Sequence, residues 1–283
     1  MTKVGLLLEG GGMRGMYTAG VLDVLMEHDI TVDGMVCVSA GALFGVNYLS
    51  KQKGRALRYN LNYLLDKRYM GWHSFLTTGN MVNKEFTYYT VPFTLDPFDN
   101  ETYKSSNIPV HVPITNVETG QAEFVMVSDV FQQMEVLRAA SALPIVSKLV
   151  EIDGKFYLDG GMADSIPIDF MQEQSFDKII IVLTRPKDYR KKKVIKWVYQ
   201  LLYRRYPKLV ETIANRHELY NATVEKIVKL EEEGKVFVIR PTENITIGRL
   251  EKSKQKIQDI YDLGSHNMQQ QLEKLYAYLE KEY

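Results

Sequence analysis

Short apolar runs of β type alternate along this chain with longer stretches whose apolar residues recur at helical spacing. Runs near Val4–Leu8, Gly34–Ser39, Val110–Asn116, Ala122–Val127, Phe156–Asp159, Lys178–Thr184 and Lys235–Arg240 read as strands, and Met16–Leu25 has the period of a helix. The alternation predicts an α/β fold in which helices cover both faces of a sheet. Asn116–Gly120, between two of the strands, reads as a hairpin turn. From Trp72 to Asn107, with Pro92, Pro97 and several aromatics, neither period holds, which predicts irregular chain: a pocket wall, a lid or a surface excursion. Beyond Pro207, helices rich in Glu and Lys surround the Lys235–Arg240 strand and end the chain as a helical extension. Linkers, repeats and low-complexity segments are missing from the pattern, so one structural unit is expected.

Three strand ends carry candidate chemistry. The run Met35-Val36-Cys37-Val38 drives into Ser39-Ala40-Gly41, and a helix-forming stretch follows at once. A serine on such a strand-to-helix bend is lifted to the rim of a sheet, as in a nucleophile elbow, although the pattern G-x-S-x-G asks for Gly where this chain has Cys37. Upstream, Gly10-Gly11-Gly12-Met13-Arg14-Gly15 joins the Val4–Leu8 strand to a helix. Consecutive glycines cost chain entropy; in return their N–H groups can face an anion beside a positive helix terminus, whether a phosphate or the oxyanion of acyl transfer. Gly10-x-Gly12-x-x-Gly15 also matches the dinucleotide fingerprint, which wants an acid ending the second strand. Here Asp29 and Asp33 precede that strand and Ser39 ends it, so nucleotide binding is the weaker alternative. Third, Phe156-Tyr157-Leu158 runs into Asp159-Gly160-Gly161. Alone an Asp-Gly pair is a turn; beside a strand-end serine and an anion loop it is a candidate general base.

In that order, these three segments resemble the patatin-like phospholipase family, whose pattern is a GGGxRG loop, a GxSxG elbow and a DG[GA] turn. Arg138-Ala139-Ala140-Ser141-Ala142-Leu143-Pro144, a helix stopping at a proline before the acidic turn, is similar as well. The resemblance covers about residues 4–172, and the tail beyond residue 185 looks like the bacterial members. It implies a three-layer α/β/α patatin-like sheet with a helical C-terminal extension. Residues 4–172 would be the catalytic region, and 173–283 would supply the remaining strands and helices of the same unit. It further implies a serine hydrolase of acyl lipid esters that forms an acyl-enzyme. Ser39 would be the nucleophile, Asp159 its base, and Gly10, Gly11, Gly12, Met13, Arg14 and Gly15 the oxyanion loop. Cys37, Ala40, Gly41, Gly160 and Gly161 would shape the two turns.

A serine hydroxyl needs an adjacent base, and an apolar cleft raises the proton affinity of a carboxylate toward that role. A histidine base following the acid in chain order could be His217 or His266 alone, and both lie in polar helical stretches.

The chain has 283 residues, 45% hydrophobic and 25% charged, enough for a full core, with zero net charge and so no reason to expect nucleic-acid binding. A single cysteine excludes an internal disulfide and offers no basis for a Cys-based zinc site; neither a metal nor a cofactor is expected. The Val4–Leu8 run, interrupted at Glu9, is too short for a signal peptide, and no apolar stretch is long enough to span a bilayer, which predicts a cytoplasmic protein. The zero net charge hides a basic stretch from Arg185 to Lys208, with ten Lys and Arg against Asp188, interleaved with Trp197, Leu201 and Leu202. Such a stretch predicts peripheral contact with an anionic membrane surface at the inner face, against the alternative of an apolar side packed on the body with solvated lysines.

Overall fold

The computed structural model describes residues 2–248 and 251–281. These residues form one eight-stranded sheet: β1 Val4–Leu8, β2 Gly34–Cys37, β3 Val110–Asn116, β4 Ala122–Met126, β5 Val150–Ile152, β6 Lys155–Asp159, β7 Lys178–Val182 and β8 Phe237–Ile239. Parallel pairs β3-β2-β1-β7-β8 make its centre. Successive side chains along a strand point to opposite faces. Leu6, Leu8, Met35, Cys37, Ile180 and Val182 accordingly enter one core, while Leu7, Val36, Ile179 and Ile181 enter the other. Buried on both sides, these strands are continuous apolar runs rather than alternating ones.

The helices are α1 Gly15–Glu27, α2 Ala40–Leu49, α3 Arg55–Tyr63, α4 Trp72–Thr78, α5 Asn100–Ser105, α6 Met134–Ala140, α7 Ile168–Glu173, α8 Lys196–Leu202, α9 Pro207–Glu232, α10 Lys254–Gln269 and α11 Leu272–Glu280. The larger core is closed by α1, α2, α6 and α10, the smaller by α7 and α9, which gives the mixed sheet its helices on both sides.

Two features differ from the sequence reading. Residues 72–107 are not irregular: α4 and α5 frame a π-helical segment, Lys84–Leu95, capped by Asn83 and containing Pro92. A wide π turn leaves one helical period without apolar repetition, so the pattern was silent. Strand β5 went unseen, although the Asp153-Gly154 pair, both at positive φ, joins it to β6 as a tight hairpin. Strand direction is left open by the sequence. Pairing is parallel between β2 and β3 but antiparallel between β6 and β3. His111 pairs with both β2 and β4, and Ile114 with both β4 and β6. So β4 takes one edge of β3, while β2 and β6 share the other and run toward each other. The Asn116–Gly120 turn is a hairpin, with Gly120 at φ 70° and the Asn116 side chain accepting the Glu118 amide.

Helix α10 joins α1 through glycines. A Cβ on Gly264 of α10 would stand 2.0 Å from the Tyr17 carbonyl oxygen of α1, and one on Gly20 would stand 2.1 Å from that of Tyr261. In an uncrowded helix, Gly→Ala stabilises by roughly 0.5–1 kcal/mol. Here Gly264→Ala is expected to reverse that sign and lower stability by about 1–3 kcal/mol, the range for overpacking, read from denaturant midpoints.

Candidate active site

Strand β2 ends at Cys37, and two residues on the chain turns sharply into α2. Ser39 absorbs the turn at φ 53° and ψ −121°, a conformation that costs an L-residue about 1–3 kcal/mol and persists because buried structure on both sides holds it. Val38 N donates to Leu8 O and Gly41 N to Val38 O, tying the bend to β1. Gly41 is required by closeness: a Cβ there would meet the Leu8 carbonyl oxygen at 2.9 Å. Ser39 thus stands at the positive N-terminus of α2, with 8% of its surface exposed.

Asp159 arrives from the opposite direction on β6. Its amide donates to Ala142 O and its carbonyl accepts the Thr115 hydroxyl at 2.8 Å. The chain then folds over β3 so closely that a Cβ on Gly160 would lie 2.0 Å from the Pro113 carbonyl oxygen. The Asp159 carboxylate is used at both oxygens: Oδ1 accepts the Gly161 amide at 2.7 Å, and Oδ2 accepts the Ser39 hydroxyl at 2.5 Å. With 1% exposure, burial pushes the Asp159 pKa up; the Ser39 hydroxyl, Arg216 and the Gly161 amide pull the other way. Residues 120 positions apart in sequence are therefore joined by one short, buried hydrogen bond.

The triple-glycine loop lies beside this pair. A Cβ on Gly10 would come within 2.7 Å of Ser39 Cβ, while Gly12, at φ 55°, faces open space. Gly12–Arg14 form a single tight 3-10 turn that leads into α1 at Gly15. Gly11, Gly12, Met13 and Arg14 line a cavity of about 350 Å³ together with Ser39 and Ala40. The rest of its wall is mainly apolar and comes from α2, α3, α6 and the π-helical segment, including Phe44, Tyr59, Val91, Met134 and Leu137. That volume falls within the roughly 300–1,000 Å³ of small-molecule sites. Arg55 also stands in the wall, ion-paired with Asp96 Oδ1 at 3.2 Å and donating to Asp96 O at 2.6 Å and Asn47 Oδ1 at 2.9 Å.

Several neighbours carry no signal in the sequence. Glu9, which merely interrupts an apolar run on paper, is buried with Oε2 accepting the Thr184 amide at 2.6 Å and Oε1 accepting the Tyr220 hydroxyl at 2.9 Å. Arg216 on α9 donates to Ser165 Oγ at 3.1 Å, and that hydroxyl donates to Gly161 O. Neither candidate histidine reaches the pair: the His217 ring bonds Ala214 O within α9, and His266 is exposed on α10. Among the described residues there is no group of three or more His, Cys, Asp or Glu placed to hold a metal ion, and no helix long and apolar enough to cross a membrane.

The family model for patatin-like phospholipase matches residues 6–171, and the chain belongs to that family. Residues 206–280 match a second model, a domain of unknown function, DUF6363. The Escherichia coli protein "Uncharacterized protein YjjU" is 26% identical over 190 residues, which is 65% of this chain and 52% of that protein. "Lysophospholipase NTE1" of Cryptococcus neoformans is 27% identical over 204 residues, 66% of this chain and 12% of that protein. The chain thus spans about half the length of the first and a small part of the second. VipD from Legionella pneumophila is a structural neighbour at TM-score 0.48 and 12% identity, covering 96% of this chain and 67% of that one.

Cys37 holds the position where the motif prefers glycine. The thiol is fully buried, and a Cβ on Gly45 of α2 would stand 3.2 Å from Cys37 Sγ, so the bulk added at 37 is accommodated by its absence at 45. Burial pushes the thiol pKa up, which leaves it without thiolate character. Native protein is expected to resist a thiol reagent such as dithionitrobenzoate and to react with one equivalent once unfolded in denaturant. Rapid reaction of the native state would contradict this burial.

Proposed function

We propose that this protein hydrolyses acyl esters of lipids through a Ser39–Asp159 dyad. The observation that carries the reading is the 2.5 Å hydroxyl-to-carboxylate bond at the wall of an apolar cavity. As Ser39 Oγ attacks the ester carbonyl carbon, its proton passes to Asp159 Oδ2. The carbonyl oxygen becomes an oxyanion beside the backbone amides of the Gly10–Gly15 loop, with the α2 N-terminus close by. Collapse of the tetrahedral intermediate breaks the bond to the alcohol, which takes the proton from Asp159 and leaves an acyl-Ser39 ester. Water then repeats the sequence: it gives a proton to Asp159, attacks the acyl carbon and frees the fatty acid, and Ser39 recovers its proton. The same burial that makes the carboxylate costly to ionise makes it a stronger base than an exposed one. The cavity wall suits an acyl chain, whose burial contributes about 0.8 kcal/mol per CH₂.

A second part of the reading concerns the surface beside the cavity. The basic stretch divides: Val194, Tyr199 and Tyr203 pack on the core, while Ile195, Trp197, Leu201 and Leu202 are exposed, and α8 has no buried residue. The Ile145 amide donates to the Tyr203 hydroxyl, which ties α8 to the segment whose Leu143 and Val146 line the cavity. Trp72, also in that lining, is 65% exposed, and Leu76 one turn on is 81% exposed. Exposed Lys192, Lys193, Lys196, Arg204 and Arg205 complete a surface fitted to anionic lipid.

Ser39→Ala and Asp159→Asn are each expected to cut hydrolysis of a p-nitrophenyl ester about a thousandfold or more, with His217→Ala and His266→Ala near wild type. A fluorophosphonate should label Ser39. No labelling would favour the alternative of a phosphate- or nucleotide-binding protein without hydrolysis. Because the base acts deprotonated and burial raises its pKa, kcat/KM should rise with pH along a limb displaced upward from the ordinary carboxylate range. In co-sedimentation, vesicles containing phosphatidylglycerol should retain more protein than phosphatidylcholine vesicles, with Lys192→Gln/Lys193→Gln reducing the difference. Equal retention on both would remove the membrane contact.

A further inference from the structure

The glycine loop has two flanks. One faces the apolar cavity with Ser39. At the other, four cations, Arg14, Arg185, Lys191 and Arg216, stand near enough to act on one another electrostatically, and Arg14 also lines the cavity. Glu9 stands among them, but both of its oxygens already accept hydrogen bonds from Thr184 and Tyr220. An aromatic scaffold holds two of the cations without neutralising them. Lys191 Nζ lies 4.2 Å from the centroid of the Tyr220 ring, the Arg185 guanidinium lies 4.3 Å from that of Tyr189, and the two rings meet edge to face. The Lys191 main chain is clamped by reciprocal bonds with the Asn221 amide. Arg14 Nε is buried with no hydrogen-bond acceptor among the described residues. Burial first, and then the neighbouring Arg216, pushes the Lys191 pKa down to about 7; burial and Arg185 lower that of Arg14. Like charges crowded where water is scarce raise the free energy of the empty site, and an anion placed among them relieves it.

The cluster is one chain's thickness from the chemistry. A Cβ on Gly10 would touch Ser39, and one on its neighbour Gly11 would lie 2.8 Å from Thr184 Oγ1, the residue before Arg185. On the other side, a Cβ on Gly161 would lie 3.4 Å from Arg216, and the Gly161 amide holds Asp159. Arg14 belongs both to the cluster and to the cavity wall, so an ester at Ser39 with its acyl chain in the cavity can turn its alcohol portion past Arg14 toward this corner.

We propose that Arg14, Arg185 and Lys191 receive the head-group phosphate of the substrate and select lipids of net negative charge over zwitterionic choline lipids. Phosphate is matched by the guanidinium forks and the ammonium. A quaternary ammonium, by contrast, is recognised by open aromatic faces, and here the faces of Tyr189 and Tyr220 are already covered by Arg185 and Lys191. Four cations outweigh the single Glu9 carboxylate, so a choline group would meet net repulsion. This selectivity rests on the hydrolase reading, in which the side chains of Arg14, Arg185 and Lys191 exchange no proton or acyl group with the substrate.

The test compares 1-oleoyl-lysophosphatidate, 1-oleoyl-lysophosphatidylcholine and 1-oleoylglycerol, each below its micellar concentration so that membrane docking plays no part. The lysophosphatidate is expected to have a kcat/KM at least tenfold above that of the choline lipid. Lys191→Gln and Arg185→Gln should each shrink that ratio severalfold while 1-oleoylglycerol changes least, and Lys191→Arg should keep most of it. Equal or reversed preference in the wild type overturns the proposal. So does a uniform loss on all three substrates in both Gln variants, the mark of a structural role. Inorganic phosphate that inhibits 1-oleoylglycerol hydrolysis, with no preference for the lysophosphatidate, would assign the cluster to free phosphate and also overturn it. Ser39→Ala protein gives the same comparison by equilibrium binding of the two lysolipids. There a preference for the lysophosphatidate sustains the head-group site even if hydrolysis fails, and its absence sinks it even if hydrolysis stands.

Discussion

The arrangement depends on two strands approaching head-on along one edge of a third. Strand β2 occupies the start of β3 and β6 its end, and they run in opposite directions, so the chain must leave the sheet at both places within a few residues. At one exit stands Ser39, at the other Asp159, and the gap between them is a single hydrogen bond. Had β6 been parallel to β3, its carboxyl end would have pointed away from that of β2, and the two side chains could not have met. The geometry is locked by close backbone approaches at Gly10, Gly41 and Gly160, where any side chain would collide with a neighbouring strand or with Ser39 itself. Rigidity of this kind is what allows a serine to be kept at positive φ.

Desolvation then sets the chemistry of each group according to what it can reach. Cys37 and Ser39 are two residues apart, but the thiol points into the core against α2, where burial without a partner leaves it inert. The hydroxyl finds a carboxylate. Asp159 is raised by the same burial, yet the Ser39 hydroxyl, the Gly161 amide and the nearby Arg216 limit the shift. An aspartate left wholly uncompensated would stay protonated and could not accept a proton; one in free water would be too weak a base to take it. The intermediate environment suits both halves of the proposed reaction.

How much of this the sequence discloses follows from whether the cause is local. The elbow, the glycine loop and the Asp159-Gly160-Gly161 turn are demands of neighbouring backbone, so small residues at fixed offsets reveal them. The Asp153-Gly154 hairpin is equally local and was readable. Strand direction is not, because pairing partners are chosen by the whole sheet, and a strand-end acid looks the same whichever way it runs. The π-helical Lys84–Leu95 hides because its period matches neither template. Lys191 and Arg185 belong, on paper, to a basic run that reads as a membrane-facing or solvated surface. Only the packing of α9 against the loop after β7 turns them inward, through Tyr220 and Asn221.

That packing changes the standing of the C-terminal region. The family match ends at residue 171 and the second match begins at 206, a division that invites one to treat the tail as an appendage. Its helices are nonetheless woven into the first region at the site. Tyr220 of α9 supplies the hydroxyl that satisfies Glu9 Oε1 at the end of β1, the residue from which the glycine loop springs. Arg216, one helical turn earlier, supports the turn after Asp159 through Ser165 and lends its charge to the carboxylate. A buried carboxylate deprived of a donor is costly, by about 1–3 kcal/mol for a lost partner and more when charged. Removing α9 would therefore disturb both the start of the loop and the setting of Asp159. The proposed nucleophile and base come from the first region, but the electrostatic field in which they sit is completed by the second.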